Sequence, residues 1–325
     1  MCSYIFGVYI VKKYLKLIIK IFFILVIIFI LLRKVNTEEI LSYLLNADKK
    51  MLLLAFVMVC FMCGLLAFKW KVLLKNIKFV RLLEGVLIGH IITYSLGGQI
   101  VGEGGKIVLL KKTEKNMGMI TASILVDKIT GFLGGFIVGL IGMIFSRIPL
   151  SNKYKLYYCF IIGGCICLII GLFNQKSINF WGWFLDGIKR KKGILRKIGE
   201  MLENVLNGIK RYVNDKKAIL VSILWGIILQ IVSVAVSFSV CYSLDIIIPF
   251  QDLCWIMSLV SVMALVPLSV MGLGVSQMST ISLLMLLGVS KELAIGYSLV
   301  LYIIMISVAV LSIVLLPLFH FISEV

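Results

Sequence analysis

Charge is what this sequence has least of. Only 15% of its 325 residues are Asp, Glu, Lys or Arg while 61% are hydrophobic, whereas a soluble domain carries about 25% charged residues to keep its surface in water. The shortfall excludes two ordinary soluble domains and a disordered chain, and implies that most of the surface faces hydrocarbon. Histidine is rarer still. His90 and His320 are the only two in the chain, and Cys60-x-x-Cys63 has no second CxxC to complete it, so neither a metal nor a cofactor is expected. The eight cysteines lie in or at the ends of apolar runs, apart from the terminal Cys2. They read as small buried hydrophobes and not as a disulfide framework. Acids are also scarce, leaving a net charge of +18. In a soluble protein that would suggest a polyanionic partner, but here the bases are confined to short segments between apolar runs. That pattern is a topology signal, and no nucleic-acid partner is expected.

What the sequence has instead is long apolar runs. A bilayer core of about 30 Å takes about 20 apolar residues in a helix, because no water is there to satisfy exposed backbone groups. Six runs qualify, at residues 15–32, 51–68, 117–145, 156–173, 218–244 and 293–319. Two more, 82–110 and 253–287, are long enough to enter the membrane but are broken by glycine-rich text. Lys12, Lys13, Lys16 and Lys20 precede the first run and no small-residue cleavage site follows it. It reads as an uncleaved first span that keeps the N-terminus in the cytoplasm.

Basic residues set the sides. Residues 69–81 hold five bases and no acid, and residues 176–217 hold eleven bases against four acids, whereas 245–252 has no Lys or Arg. The first two segments are expected in the cytoplasm and the third outside. Parity then requires residues 82–115 to enter and leave on the cytoplasmic face, as a hairpin. If 253–287 is also a hairpin, it opens on the external side. Two broken-helix hairpins entering from opposite faces are the arrangement that inverted-repeat transporters place around a midplane site. The expected fold is therefore an all-α integral membrane protein, one polytopic domain over residues 1–325, with about six full spans and two re-entrant hairpins. It belongs in the plasma membrane.

Residues 174–217 form the sizeable polar segment. Ile194, Leu195, Ile198, Met201, Leu202, Val205, Leu206, Ile209, Tyr212 and Val213 keep helical spacing, with charges on the other faces. Beside the basic run 189–192 this predicts an amphipathic helix lying on the anionic cytoplasmic leaflet, or simply the positive-inside bias expressed in a helix. Trp181 and Trp183 would sit at headgroup level.

Three motifs could carry chemistry. Residues 97–105 contain five glycines, each costing about 1 kcal/mol in a helix relative to alanine, so the chain is expected to turn there. Gly102, Glu103 and Lys106 fall in that turn, where charges must pair or face an aqueous cavity. Asp127 and Lys128 interrupt the next apolar helix, and their expected partners are Glu103 and Lys106. The four would form a self-neutralising cluster that offers both signs to a lipid headgroup, or else a static internal salt bridge. Pro267, Ser269, Gly272 and Gly274 break the second region, and a helix restarting near Ser276 would turn its positive end toward a phosphate. A proline-kinked helix with tight glycine packing is the plainer alternative.

These residues, in this order, resemble the transmembrane, flippase-like domain of the lysylphosphatidylglycerol synthases. The resemblance runs through Gly102-Glu103 with Lys106, Leu109 and Leu110, then the helix from Ala122 to Lys128, then Pro267-Leu268-Ser269 with Gly272-Leu273-Gly274-Val275, and last Gly288-Val289 and Ala294. It implies a fold with re-entrant helices and a role in moving lipids, in the best-known members an aminoacylated phosphatidylglycerol whose display confers resistance to cationic antibiotics. The candidate substrate-binding residues, read from these motifs, are Gly102, Glu103, Lys106, Asp127, Lys128, Pro267, Ser269, Gly272 and Gly274. The family often has arginine at positions 106 and 128, a basic residue at Ile100, and Arg-Glu where this chain has Ser276-Gln277. Its aminoacyl-transfer chemistry resides in a soluble domain after the membrane region, so this chain, ending at Val325, is not expected to be a lysyltransferase on its own. The expected partners are phospholipid headgroups, the anionic leaflet, and either a second copy or a separately encoded soluble transferase docking on 174–217. In that last case the chain would be the membrane component of a lipid-modifying system.

Overall fold

A computed structural model describes residues 37–111, 116–146, 174–189, 194–264 and 275–324, together with 156, 158–160, 162–164 and 166–167. The predicted span at 15–32 and much of the one at 156–173 lie outside the described residues. Among those described there is no β-strand. The helices are α1 (Thr37–Asn46), α2 (Lys49–Leu73), α3 (Phe79–Ile92), α4 (Gly98–Leu110), α5 (Met117–Ile144), α6 (Gln175–Lys189), α7 (Ile194–Asn214), α8 (Lys216–Ser243), α9 (Phe250–Met263), α10 (Val275–Leu286) and α11 (Lys291–Glu324).

Four of these, α2, α5, α8 and α11, are long and apolar enough to cross a bilayer, matching the predicted runs at 51–68, 117–145, 218–244 and 293–319. Three start on a polar side chain that accepts an otherwise orphaned backbone N–H. Asp48 accepts from the Lys50 amide at 2.8 Å, Asn116 from Met119 at 3.1 Å and Asp215 from Ala218 at 3.0 Å. Each span therefore begins where its apolar run begins.

Contacts between termini sort the ends of the bundle. At one end the Tyr212 hydroxyl donates to the Leu73 carbonyl at 3.1 Å and Lys75 pairs with Asp215 at 3.0 Å, so the end of α2, the end of α7 and the start of α8 lie together. Lys71, Lys78, Lys210, Arg211, Lys216 and Lys217 belong to the same region. We call this the basic end. The Ala218 amide and the Lys75 ammonium both hold the Asp215 carboxyl below its ordinary pKa. At the opposite end the Asp48 amide donates to the Ser243 carbonyl at 2.9 Å, and Ser146 donates to the carboxylate of Asp252. The start of α2, the ends of α5 and α8 and the start of α9 therefore meet there. So does the start of α11, which packs on α1.

The short helices form two hairpins. With 14 and 13 residues and a rise of about 1.5 Å per residue, α3 and α4 reach roughly 21 and roughly 20 Å and cannot cross a core of about 30 Å. They pack against each other, and both their outer ends lie at the basic end. Helices α9 and α10, of 14 and 12 residues, also pack against each other and open at the opposite end. Residues 265–274 between them, with Pro267, Ser269, Gly272 and Gly274, lie outside the described residues, while α10 begins at Val275, beside the predicted restart at Ser276.

One expectation for the first hairpin is corrected. The turn is not spread through the five glycines but confined to a π-helical turn, Thr93–Gly97, and Gly98. Only Gly98 needs glycine's conformational freedom there, with φ of 71°. Gly102, Gly104 and Gly105 are helical residues of α4. Their cost in helix propensity is offset by close approach of the limbs: a Cβ on Gly102 would fall 2.6 Å from the Gly89 carbonyl oxygen.

The amphipathic segment is also corrected in part. Helix α7 has the predicted extent, but it is not laid on a leaflet alone. Val205, Ile209 and Tyr212 join the hydrophobic core, and α7 packs along the first turns of α5. Gly118 there leaves no room for a side chain against the Asn204 backbone. Its pairing with α6 is fixed by Lys189, which bonds Glu203 and Asp186 at 2.7 Å each. Met201 and Leu202 stay exposed, as do Trp181 and Trp183 of α6.

Helices α5 and α8 cross at Gly134 and Gly226, where a Cβ on Gly134 would lie 2.5 Å from the Ile227 amide nitrogen. Close backbone approach through small residues is the usual means of joining helices in lipid. Gly134→Leu is expected to push the two spans apart at a cost of about 1–3 kcal/mol or more, read as a lower melting temperature in detergent. An unchanged melting temperature would show that these backbones are not in contact.

Candidate functional site

The site is built outward from the hairpin turn. The Thr93 hydroxyl donates to the Gly89 carbonyl at 2.8 Å and that of Ser95 to Ile91 at 2.6 Å, which holds the end of α3 closed around the π-helical turn. Helix α4 then returns antiparallel to α3, close enough for the stem of Lys106 to lie over Gly89, where a Cβ would be 3.2 Å from Cγ. The Lys106 ammonium sits 5.4 Å above the Trp70 ring of α2, a cation–π distance. Trp70 in turn donates its indole N–H to Ser123 of α5 at 3.0 Å. One aromatic side chain thereby fixes α2, α4 and α5 relative to each other.

On this frame the predicted charges meet. Glu103 accepts from Lys106 at 2.9 Å and from Lys128 at 2.8 Å, so three of the four expected residues form one ion network joining α4 to α5. The fourth has a different partner. Asp127 lies 3.0 Å from Lys69 of α2. The same ammonium donates to the Asp127 main-chain carbonyl, and Asp127 Oδ1 receives no hydrogen bond of its own. Lys69 thus holds that carboxylate oxygen by charge alone.

Lys69 does not stand out in the sequence. It opens the basic run that reads as a cytoplasmic loop, whereas α2 continues to Leu73 and Lys69 is 2% exposed. Gly131 lies one turn beyond Asp127, and a Cβ there would come 3.1 Å from the Lys69 nitrogen. Its missing side chain leaves space for the ammonium. The signal that could have suggested Lys69 is length: the apolar run 51–68 has 18 residues, roughly 27 Å of helix and near the short end of what spans a bilayer, so an extension into the neighbouring bases was open.

Three of these five charges border a cavity of about 400 Å³ between the two hairpins, within the roughly 300–1,000 Å³ typical of small-ligand sites. Lys69, Asp127 and Lys128 form its charged wall, and Tyr94 and Gln99 reach it from the first hairpin. Ser261, Ser276, Gln277 and Thr280 reach it from the second, Gln230 and Ser233 from α8, and Ser298 and Tyr302 from α11. Tyr94 and Tyr302 stand 6.2 Å apart across one side, and His90 behind them is 3.1 Å from the Met305 carbonyl. Ionised groups cost several kcal/mol in hydrocarbon and persist where they pair or meet a water-filled space. Here they do both. Among the described residues no group of three His, Cys, Asp or Glu is placed to hold a metal.

The family model described as the lysylphosphatidylglycerol synthase TM region matches residues 17–316. The chain belongs to that family. Beyond it, a UPF0104 membrane protein of Pyrococcus horikoshii is 24% identical over 320 residues, covering 88% of this chain and 90% of the relative. No solved structure matches. Membership agrees with the resemblance read from Gly102-Glu103, Lys106 and the Asp127-Lys128 pair. It makes the chain a multi-pass membrane protein of a family defined by its transmembrane region.

Proposed function

We propose that this family member moves lipid headgroups across the plasma membrane, with its basic end in the cytoplasm. The observation that carries the reading is the placement of Lys69, Asp127 and Lys128 on the wall of a cavity flanked by two hairpins that open at opposite ends of the bundle. A headgroup could reach such a site from either leaflet if one hairpin parts from its neighbours while the other stays packed, which is the general logic of alternating access around a fixed midplane site. The acyl chains would remain in lipid throughout. The excess of bases at one end supports the orientation, since Lys and Arg collect on the cytoplasmic side. Aminoacylated or anionic phospholipids, the classes suggested by the resemblance, are the first candidates.

The test is reconstitution. The full chain is placed in sealed vesicles with a phospholipid labelled fluorescently on its acyl chain, and an impermeant quencher is added outside. Protein-dependent loss of more than half the signal, the outer-leaflet share, is expected. Loss that stops at the outer leaflet would sink the proposal.

A further inference from the structure

We propose that the basic end carries a binding site of its own, for the phosphate group of a phosphate ester, separate from the cavity between the hairpins and independent of what that cavity takes. A second cavity, of about 260 Å³, lies where the end of α2, the start of α5, the end of α7 and the start of α8 meet. Leu73, Ile77 and Met119 give it apolar lining, while Lys75, Asn76, Arg211 and Asp215 line it with polar groups. An apolar hollow with a few convergent polar groups is the general form of a small-ligand site. The hydrogen bond from the Tyr212 hydroxyl to the Leu73 carbonyl, at 3.1 Å, ties the end of α7 to the end of α2 and so brings Arg211 and Lys75 to one hollow.

The loop that supplies Lys75 and Asn76 is held in shape before any ligand arrives. Lys71 donates to the Lys75 carbonyl at 2.7 Å and to the Ile77 carbonyl at 2.5 Å, and the Ile77 amide donates to the Leu74 carbonyl at 3.2 Å. The one acid in the lining is already engaged through both oxygens, since Asp215 takes the Lys75 ammonium at 3.0 Å and the Ala218 amide at 3.0 Å. Arg211 differs: it is exposed and, among the described residues, has no carboxylate partner. Two cations, Lys75 and Arg211, against one anion, Asp215, leave the lining one positive charge in excess. Lys78, Lys210, Lys216 and Lys217 at the same end add to the attraction of an anion. A guanidinium takes two oxygens in parallel, which would use up a carboxylate, whereas a phosphate keeps a further oxygen for the Lys75 ammonium or the Asn76 amide. The apolar lining then receives the alcohol part of the ester, either the glycerol of a lipid in the adjoining leaflet or a small soluble alcohol.

The experiment follows the melting temperature of the full chain in an uncharged detergent as glycerol 3-phosphate or, separately, phosphatidic acid is added, with sodium chloride of equal ionic strength as the control. Saturable stabilisation beyond the chloride control is expected from at least one of the two. Arg211→Gln should raise the half-saturating concentration about tenfold or more, as loss of a charged hydrogen bond does. Lys210→Gln removes the same charge one residue away, from a side chain that does not line the cavity, and should leave that concentration unchanged. Asn76→Leu should weaken binding as well, which keeps the test open if Arg211→Gln does not fold. A response to phosphatidic acid alone would support the site and assign it to a leaflet lipid; a response to glycerol 3-phosphate alone would support it and assign it to a soluble ester. No saturable shift with either probe, or equal weakening in Arg211→Gln and Lys210→Gln, would overturn the site in favour of a diffuse basic surface. A phosphatidic acid response lost in Lys128→Gln and untouched in Arg211→Gln would belong to the cavity between the hairpins, overturning this site while leaving the headgroup-transport reading in place.

Discussion

Lys128→Gln is expected to slow lipid movement by roughly 10–100-fold while leaving the protein folded. The magnitude follows from removing the ammonium that would hold the phosphate, since a hydrogen bond to a charged group contributes about 1.5–3 kcal/mol and every 1.4 kcal/mol or so is tenfold in rate. Folding should survive because Glu103, the partner Lys128 leaves behind, keeps Lys106 at 2.9 Å. Lys128 is moreover the most exposed of the three lysines, with 37% of its side chain accessible against 15% for Lys106 and 2% for Lys69. Lys128→Arg, the residue that often stands at this position in the family, should keep activity or raise it, because a guanidinium can grip a phosphate with two parallel hydrogen bonds. Rates in reconstituted vesicles, normalised to the amount of protein inserted, check both. Unimpaired movement in Lys128→Gln would remove this lysine from the headgroup path.

Lys69→Met is expected to act on the fold. It leaves the carboxylate of Asp127, 15% exposed, without its counter-ion, and breaking a buried pair on one side costs about 3–5 kcal/mol. That is a large fraction of the stability of a domain. Removing both charges in Lys69→Met with Asp127→Leu should recover most of the loss, since an apolar pair of similar volume commonly replaces a buried ion pair at little cost. The single variant should therefore show a much lower melting temperature or fail to accumulate, and the double variant should accumulate without transporting. A single variant as stable as the wild type would mean that the pair carries no structural weight. Comparing the two experiments separates the lysine that holds the bundle from the lysine offered to the substrate.

Much of this arrangement is legible in the sequence, for reasons that differ by residue. The first hairpin can be read from the parity of basic segments because Lys and Arg are scarce enough in this chain for their positions to mark sides. Glu103, Lys106, Asp127 and Lys128 stand out because an ionised group inside an apolar run is costly and needs a partner. Pairing is less legible. Which carboxylate meets which lysine depends on helix rotation, and Asp127 turns toward α2 and Lys69 while its neighbour Lys128 turns toward α4 and Glu103. The glycines mislead because propensity is a local quantity: Gly102 and Gly105 weaken their own helix but admit the side chains and carbonyls of α3, an approach that single-helix reasoning does not contain. Gln230, Gln99 and Ser233 give no signal, because neutral polar residues are common in transmembrane helices and only the cavity distinguishes these from the rest. The amphipathic pattern of α7 reads correctly as a helix, yet period alone does not say whether the apolar stripe meets lipid or protein, and Gly118 and Gly208 are what direct it onto α5.

Transport of this kind requires α3 and α4 to dip into the bilayer and return to the end they started from. Single cysteines at Lys78, Lys111 and Ile247, all exposed positions at the mouths of the bundle, placed in a cysteine-free background, test this with an impermeant maleimide applied to sealed vesicles of known orientation. Labelling at 78 and 111 from the cytoplasmic side, with 247 reached only from the other, is the predicted outcome. Labelling of 78 and 111 from opposite sides would make the segment a crossing helix, and would contradict the hairpin, the cavity beside it and the transport proposal together.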